Sequence, residues 1–244
     1  MKRLLPFLLI SPLLAEEPKP TKEAIDALNF PGVKVNLEEK AIDVTASICL
    51  TEGSLEFIAC TKETKEHESI LRVEGKPSHI HTALLLLGAK PGNPAMRKMV
   101  GSEETPRWID IPPRGHSTTV SLVITDKEGK VTERPISDFV SFVDYEANPE
   151  DPPRRDSKKQ LASFLFAGSH LYGKEGAPKV YLADNSGSVI SLSTFGDELL
   201  CLPGIHLKEN YALQWEANPK HLPKVGTKVI MRLRPVPPGK DPKK

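Results

Sequence analysis

Apolar and polar residues alternate along most of the chain. The alternation is clearest at residues 33–37 and 42–46, and it returns at 55–61, 69–73, 118–125, 130–134, 161–167, 211–216 and 228–233. A period of two is typical of β-strands that bury one face. The pattern therefore predicts a β-dominated α+β fold with mostly antiparallel sheets and a few short helices.

One segment departs from this alternation and is apolar on nearly every side. Residues 77–88 read PSHIHTALLLLG, which predicts a helix that starts at an N-cap Ser78 and ends before Gly88. Because its two turns carry few polar side chains, we expect a buried two-turn helix near residues 79–87.

Turn residues predict how the strands connect. Gly53 marks a hairpin between the strands on its two sides, and residues 184–187 (DNSG) mark another hairpin. Residues 89–107 are expected to form a long loop, and residues 197–202 a single helical turn.

Composition divides the chain into parts. Residues 1–15 carry two cations before a short apolar run, which predicts a signal peptide and export from a bacterial cell, to the periplasm, the cell surface or the outside. Residues 16–29 form a polar leader and short helix. Residues 30–236 form a single β-rich domain with a proline-rich, charged surface loop at 146–159. Residues 237–244 are expected to be a disordered basic tail.

The net charge argues against a nucleic-acid partner. It is +1 for the whole chain, and it changes to −1 when Lys2 and Arg3 are lost with the signal peptide. Beyond residues 1–15 no apolar segment is long enough to span a bilayer, so no transmembrane segment is expected.

The three cysteines are expected to be buried and reduced. A hairpin at Gly53 would place Cys49 opposite residues near 57, so that Cys49 and Cys60 exceed the roughly 7 Å Cα separation that a disulfide tolerates. Any disulfide would then involve Cys201. Three scattered cysteines are too few for an ordinary iron–sulfur cluster, and we predict no cofactor.

Ionisable side chains concentrate just before the fourth predicted strand and at the start of the predicted helix. The candidate ligand-binding residues are Lys65, Glu66, His67, Glu68 and His81. Imidazoles and carboxylates together suit a Zn²⁺ site or a general acid–base pair.

A metal-dependent hydrolase is therefore the alternative function, with His67, His79, His81 and Glu68 as candidate ligands and Glu66 beside them. The spacing favours packing instead: in a strand His67 faces away from both glutamates, and in a helix His79 and His81 diverge by about 200°. No HExxH or CxxC motif accompanies these residues.

The run GSLEFIACTKETKEHESIL followed by PSHIHTALLLLGAKPG resembles the YdjY-like domain family of exported bacterial proteins. The later stretches FLFAGS and YLADNSGSVISLSTFGDELLCLP are similar to the closing part of the same domain. The resemblance covers about residues 30–205 and implies an exported single domain. It implies no catalytic residues and no assigned activity.

We therefore predict an exported binding or structural module without catalysis. Its partner would be an envelope component or a small ligand. The predicted contact surface is the charged segment 62–68 together with the loop 89–107.

Overall fold

The computed structural model describes residues 27–102, 104–143, 157–206 and 214–237, together with residues 23, 25 and 239. The predicted signal peptide, most of the predicted leader, residues 146–156 of the predicted surface loop and most of the tail lie outside the described residues.

Short strands dominate the described residues. The strands are β1 (Val33–Asn36), β2 (Ala41–Ile48), β3 (Phe57–Thr61), β4 (Ser69–Val73), β5 (Pro91–Asn93), β6 (Met96–Val100), β7 (Arg107–Ile111), β8 (Arg114–Thr125), β9 (Val131–Pro135), β10 (Val140–Phe142), β11 (Phe164–Phe166), β12 (Leu171–Tyr172), β13 (Val180–Tyr181), β14 (Ser188–Ser191), β15 (Leu200–Cys201), β16 (Trp215–Ala217) and β17 (Lys228–Pro235). The helices are α1 (Pro77–Leu86), α2 (Ser157–Gln160) and α3 (Leu182–Ser186), with 3₁₀ turns at Glu66–Glu68 and Ile136–Asp138.

Eight of these strands form a closed, barrel-like sheet. Their order is β2–β17–β8–β11–β15–β14–β3–β4, and β4 pairs back with β2. The pairs β3–β4 and β14–β15 are parallel, and the other pairs of the ring are antiparallel. The predicted β-dominated, mostly antiparallel fold is confirmed.

The alternating apolar residues form the core. In β2, the buried Ile42, Val44 and Ala46 alternate with the half-buried Asp43 and Thr45. The same pattern recurs in β8 and β17. Removing apolar surface from water stabilises the fold by about 25 cal/mol per Å², so the strands bury the faces that the period of two predicts.

The predicted helix is present, but only one face of it is buried. α1 lies against β1, β2 and α3 and buries Ile80, Ala83 and Leu84, whereas Leu85 is 44% exposed. Burial on several faces was therefore wrong. The sheet covers one side of α1 only, and apolar residues alone do not determine which side.

The predicted helix end is correct, and the predicted start is not. Gly88 has a φ of +81° and donates its N–H to Leu85 O at 2.8 Å, as expected for the residue after a helix. The N-cap is Lys76, not Ser78, and Pro77 takes the first helical position, where its missing N–H is not needed.

The hairpin predicted at Gly53 is wrong. β4 lies between β2 and β3 and pairs with both, so residues 62–68 lead from the end of β3 to the start of a parallel neighbour. Almost all of β4 is buried, which is typical of a strand that lies inside a sheet and not at its edge.

Three other turn predictions also differ from the structure. Residues 184–187 lie in and just after α3, and β13 pairs with β12, not β14. The expected loop at 89–107 contains β5 and β6. The expected helical turn at 197–202 contains β15, because Leu200 and Cys201 pair with β11 and β14.

Candidate functional site

The charged segment 62–68 presents its histidine to solvent. Glu66 Oε1 lies 3.4 Å from Arg72 Nη1, and His67 Nε2 lies 3.6 Å from Glu68 Oε2. The His67 side chain is 77% exposed. His67 therefore stands on the surface.

Lys65 secures this segment to the barrel-like sheet. Its Nζ lies 4.4 Å from the ring centroid of Phe57 and 4.6 Å from that of Phe195, and it donates to Ser188 Oγ at 3.0 Å. Contacts of an ammonium group with aromatic rings stabilise by about 0.5–2 kcal/mol. The charge of Lys65 thus has partners within the fold.

His79 and His81 have different surroundings. The His79 ring lies 5.2 Å from the Phe30 ring, and its buried Nδ1 has no hydrogen-bond partner among the described residues. His81 Nδ1 is 2.8 Å from Tyr181 Oη. Within the part of the chain that the structure describes, no three His, Cys, Asp or Glu side chains group together to hold a metal ion. The predicted ligands His67, His79, His81 and Glu68 are therefore not brought into one set.

A cavity of about 870 Å³ opens beside the N-terminal end of α1, and we call it the basic cavity. Residues of β2, β4, β13, α3 and β17 contribute to its wall. The cations that line it are Lys62, Arg72, Lys76, Lys179 and Lys228. Lys62 is the one residue of the predicted segment 62–68 in this lining.

The carboxylates of the basic cavity already have partners. Glu74 Oε1 accepts from Lys228 Nζ at 3.1 Å. Asp184 accepts the backbone N–H of Ser78 at 2.8 Å and the Ser78 hydroxyl at 2.7 Å. Asp184 thus caps the start of α1 from another part of the chain, where a negative charge also suits the helix dipole.

The basic cavity carries surplus positive charge. Its lining has five Lys or Arg residues against two carboxylates, Glu74 and Asp184. Arg72 pairs with Glu66, whereas neither Lys76 nor Lys179 has an ion pair among the described residues. These two ammonium groups give the cavity a positive electrostatic potential.

A second cavity, of about 480 Å³, shares Tyr181 with the basic cavity, and we call it the His81 cavity. Besides His81 and Tyr181, its lining includes Pro91, Gly92, Gly168 and Leu171. The predicted candidate His81 and the start of the predicted loop 89–107 therefore meet here.

Hydrogen bonds around Tyr181 fix the tautomer of His81. Tyr181 Oη donates to Gly168 O at 2.9 Å, so it accepts the proton of His81 Nδ1. Nε2 is then the acceptor nitrogen. Burial lowers the pKa of His81 below its ordinary value, and the Gly168 carbonyl partly offsets this. The imidazole is accordingly neutral at neutral pH.

Cys49 and Cys60 flank β4, since the Cys49 N–H donates to Ile70 O and Cys60 pairs with Arg72. The Cys49 thiol donates to Ser69 O at 3.0 Å, and the Cys49 side chain beside Cys60 lowers the pKa of Cys60 to about 7. β4 separates their backbones, and two strand spacings of about 4.8 Å exceed the Cα separation for a disulfide. All three cysteines are free thiols, as expected, although Cys49 is only half-buried.

Comparison with known proteins gives one result. The family model of the YdjY domain matches residues 33–234. The chain belongs to the YdjY domain family. No curated protein and no solved structure matches it. In the described part of this YdjY domain, no helix has the length and apolar character needed to cross a membrane.

Sequence reasoning missed Lys76, Lys179, Tyr181 and Asp184 of this YdjY domain. Nothing in the local pattern of the segment around α3 shows that it packs against the start of α1. The sequence indicated only Ser78 as the N-cap of α1, whereas the structure shows Ser78 donating to Asp184.

Proposed function

We propose that this YdjY domain is an exported binding module whose basic cavity holds an anionic group of its ligand. The observation that carries this proposal is the unpaired positive charge of Lys76 and Lys179 in a cavity whose two carboxylates already have partners. Hydrogen bonds from ammonium groups to phosphate or carboxylate oxygens are stronger than those between neutral groups.

The size of the basic cavity suits a small ligand or one unit of a larger envelope component. Ligand cavities of about 300–1,000 Å³ enclose most of a small molecule, and the basic cavity falls in this range. Its polar lining favours recognition through charge. The alternative hydrolase gains no support, because the described histidines and carboxylates do not assemble a ligand set.

Calorimetric titration with methyl phosphate, acetate and acidic cell-envelope fragments tests this proposal. The double substitution Lys76→Ala with Lys179→Ala should weaken binding at least about tenfold, which corresponds to about 1.4 kcal/mol. Binding should also weaken as salt is added, because salt screens exposed charges.

The matched control removes the same charge elsewhere. Lys127→Ala with Lys130→Ala changes the turn between β8 and β9, which does not line the basic cavity. This control should bind like the parent protein. Equal affinity in the two double variants would contradict the proposal.

Export is a separate part of the proposal and rests on residues 1–15, which lie outside the described residues. We expect a bacterial host to cleave the chain after Ala15. Mass spectrometry of the exported protein should then give Glu16 as its first residue. A chain that keeps Met1 and stays in the cytoplasm would contradict export.

A further inference from the structure

The His81 cavity differs chemically from the basic cavity. No acidic residue and no Lys or Arg lines it, and Pro91, Leu171 and the Tyr181 ring give it an apolar character. The hydroxyls of Ser78, Thr82 and Ser169 hydrogen-bond within the fold, and His170 adds a second imidazole to the lining. Leu171 at this cavity is 64% exposed, which leaves apolar surface for a ligand to cover.

His81 supplies this cavity with a hydrogen-bond acceptor. Its Nδ1 is committed to Tyr181, and its Nε2 has no hydrogen-bond partner among the described residues and is not one of the buried, unpaired atoms. Nε2 is therefore open to a ligand. A neutral imidazole nitrogen accepts a hydrogen bond from a hydroxyl or an N–H group.

The two cavities are adjacent. Tyr181 lines both, and the consecutive residues Pro77 and Ser78 line one each. The paired strands β12 and β13 place the exposed Leu171 at the His81 cavity and Val180 at the basic cavity. A ligand that crosses Tyr181 would contact cations on one side and an apolar wall on the other.

We propose that the His81 cavity is a subsite for an uncharged, apolar group that donates a hydrogen bond to His81 Nε2, and that this group belongs to the same ligand as the anion in the basic cavity. The inference rests on the proposed function and gives its ligand a class: an acid that carries an apolar body with a hydroxyl or amide donor.

Phenol is a probe of this subsite that does not depend on the basic cavity. Titration of the full chain, followed by the NMR signals of His81 Nε2 and Cε1, should show phenol binding about fivefold more tightly than toluene, because toluene lacks the donor. Equal binding of the two compounds, or no shift at His81, overturns the subsite.

Substitutions at the rim control for binding elsewhere. Thr82 is an exposed residue of α1 that lines the His81 cavity, so Thr82→Trp should fill it and abolish the phenol shift, whereas Thr82→Ala should not. Unchanged phenol binding in Thr82→Trp overturns the subsite. Thermal unfolding of each variant shows whether it is folded.

A series of 4-hydroxyphenylalkyl phosphates, with none to four methylene groups in the chain, tests whether one ligand occupies both cavities. At least one member should bind about 30-fold more tightly than methyl phosphate and should lose this gain in Thr82→Trp. No gain in any member overturns the single-ligand proposal. Phenol binding without methyl phosphate binding overturns the function proposed for the basic cavity and leaves the subsite standing.

Discussion

At the scale of single residues, Asp184 connects two distant parts of the chain. It lies in α3 and accepts both the N–H and the hydroxyl of Ser78 in the first turn of α1. The N–H groups of a first helical turn have no partner inside the helix, and a carboxylate that accepts one of them lowers the free energy of the folded state.

Asp184→Ala should therefore lower the free energy of unfolding by about 1–2 kcal/mol. Urea unfolding followed by circular dichroism measures this change. Asp110→Ala is the control, since it removes a carboxylate whose pair with Arg97 is exposed, and exposed pairs contribute about 0–1 kcal/mol. A larger loss in Asp110→Ala than in Asp184→Ala would show that Asp184 is not a cap.

His81 should make stability depend on pH. Burial lowers the pKa of His81 in the folded state, so below the ordinary value of 6.5 the unfolded chain binds more protons than the folded chain. The contribution of His81 is complete above pH 6.5 and is lost as the pH falls below it, down to the folded pKa. Urea unfolding at several values between pH 5 and about pH 8 measures this loss.

Two substitutions distinguish the contribution of His81 to this pH dependence from that of another histidine. His81→Phe should flatten the dependence of the unfolding free energy on pH in that window. His67→Asn is the matched control, since it removes a histidine whose side chain is mostly exposed. If His81→Phe keeps the full dependence, another group is responsible for it.

At the scale of elements, α1 contributes to stability mainly through its one buried face. Leu84 is fully buried, whereas its neighbour Leu85 is largely exposed. Leu84→Ala should cost about 2–5 kcal/mol, because it removes buried methyl groups and leaves a cavity. Leu85→Ala should change the free energy of unfolding by less than about 0.5 kcal/mol. Chemical denaturation of both variants measures the difference, and equal costs would show that α1 does not pack as described.

The sequence predicts the elements better than it predicts their partners. Alternation predicts β2 and β17, and Gly88 correctly marks the end of α1, because both signals depend on neighbouring residues. The position of β4 between β2 and β3 depends on contacts distant in sequence, and a turn residue such as Gly53 carries no information about them.

The candidate site also depends on contacts between residues distant in sequence, so the sequence predicts only part of it. The segment 62–68 attracts attention because its charges are adjacent in sequence, yet Lys62 alone of it reaches the basic cavity. Lys76 and Lys179 lie about a hundred residues apart, and their joint charge exists only after α3 packs against α1. His81 is a candidate in the sequence, but its partner Tyr181 is not.

At the scale of the whole molecule, β17 closes the sheet. It is the last strand of the described residues, and it pairs with β2 on one edge and β8 on the other. Arg232 of β17 adds hydrogen bonds to Asp43 of β2, at 2.6 and 2.8 Å, and to Glu133 of β9, at 3.0 Å. One strand therefore joins the beginning and the middle of the chain.

Deletion of residues 228–244 should consequently abolish the cooperative unfolding transition. Without β17, the facing edges of β2 and β8 lose their backbone partners, and the core loses Val229, Met231 and Leu233. Circular dichroism and thermal unfolding measure this outcome, with deletion of residues 240–244 as the control.

A peptide of residues 226–237, added in trans, should restore a transition whose midpoint rises with peptide concentration, because a ligand of the folded state stabilises it. A cooperative transition at the parent midpoint without the peptide would show that the sheet closes without β17.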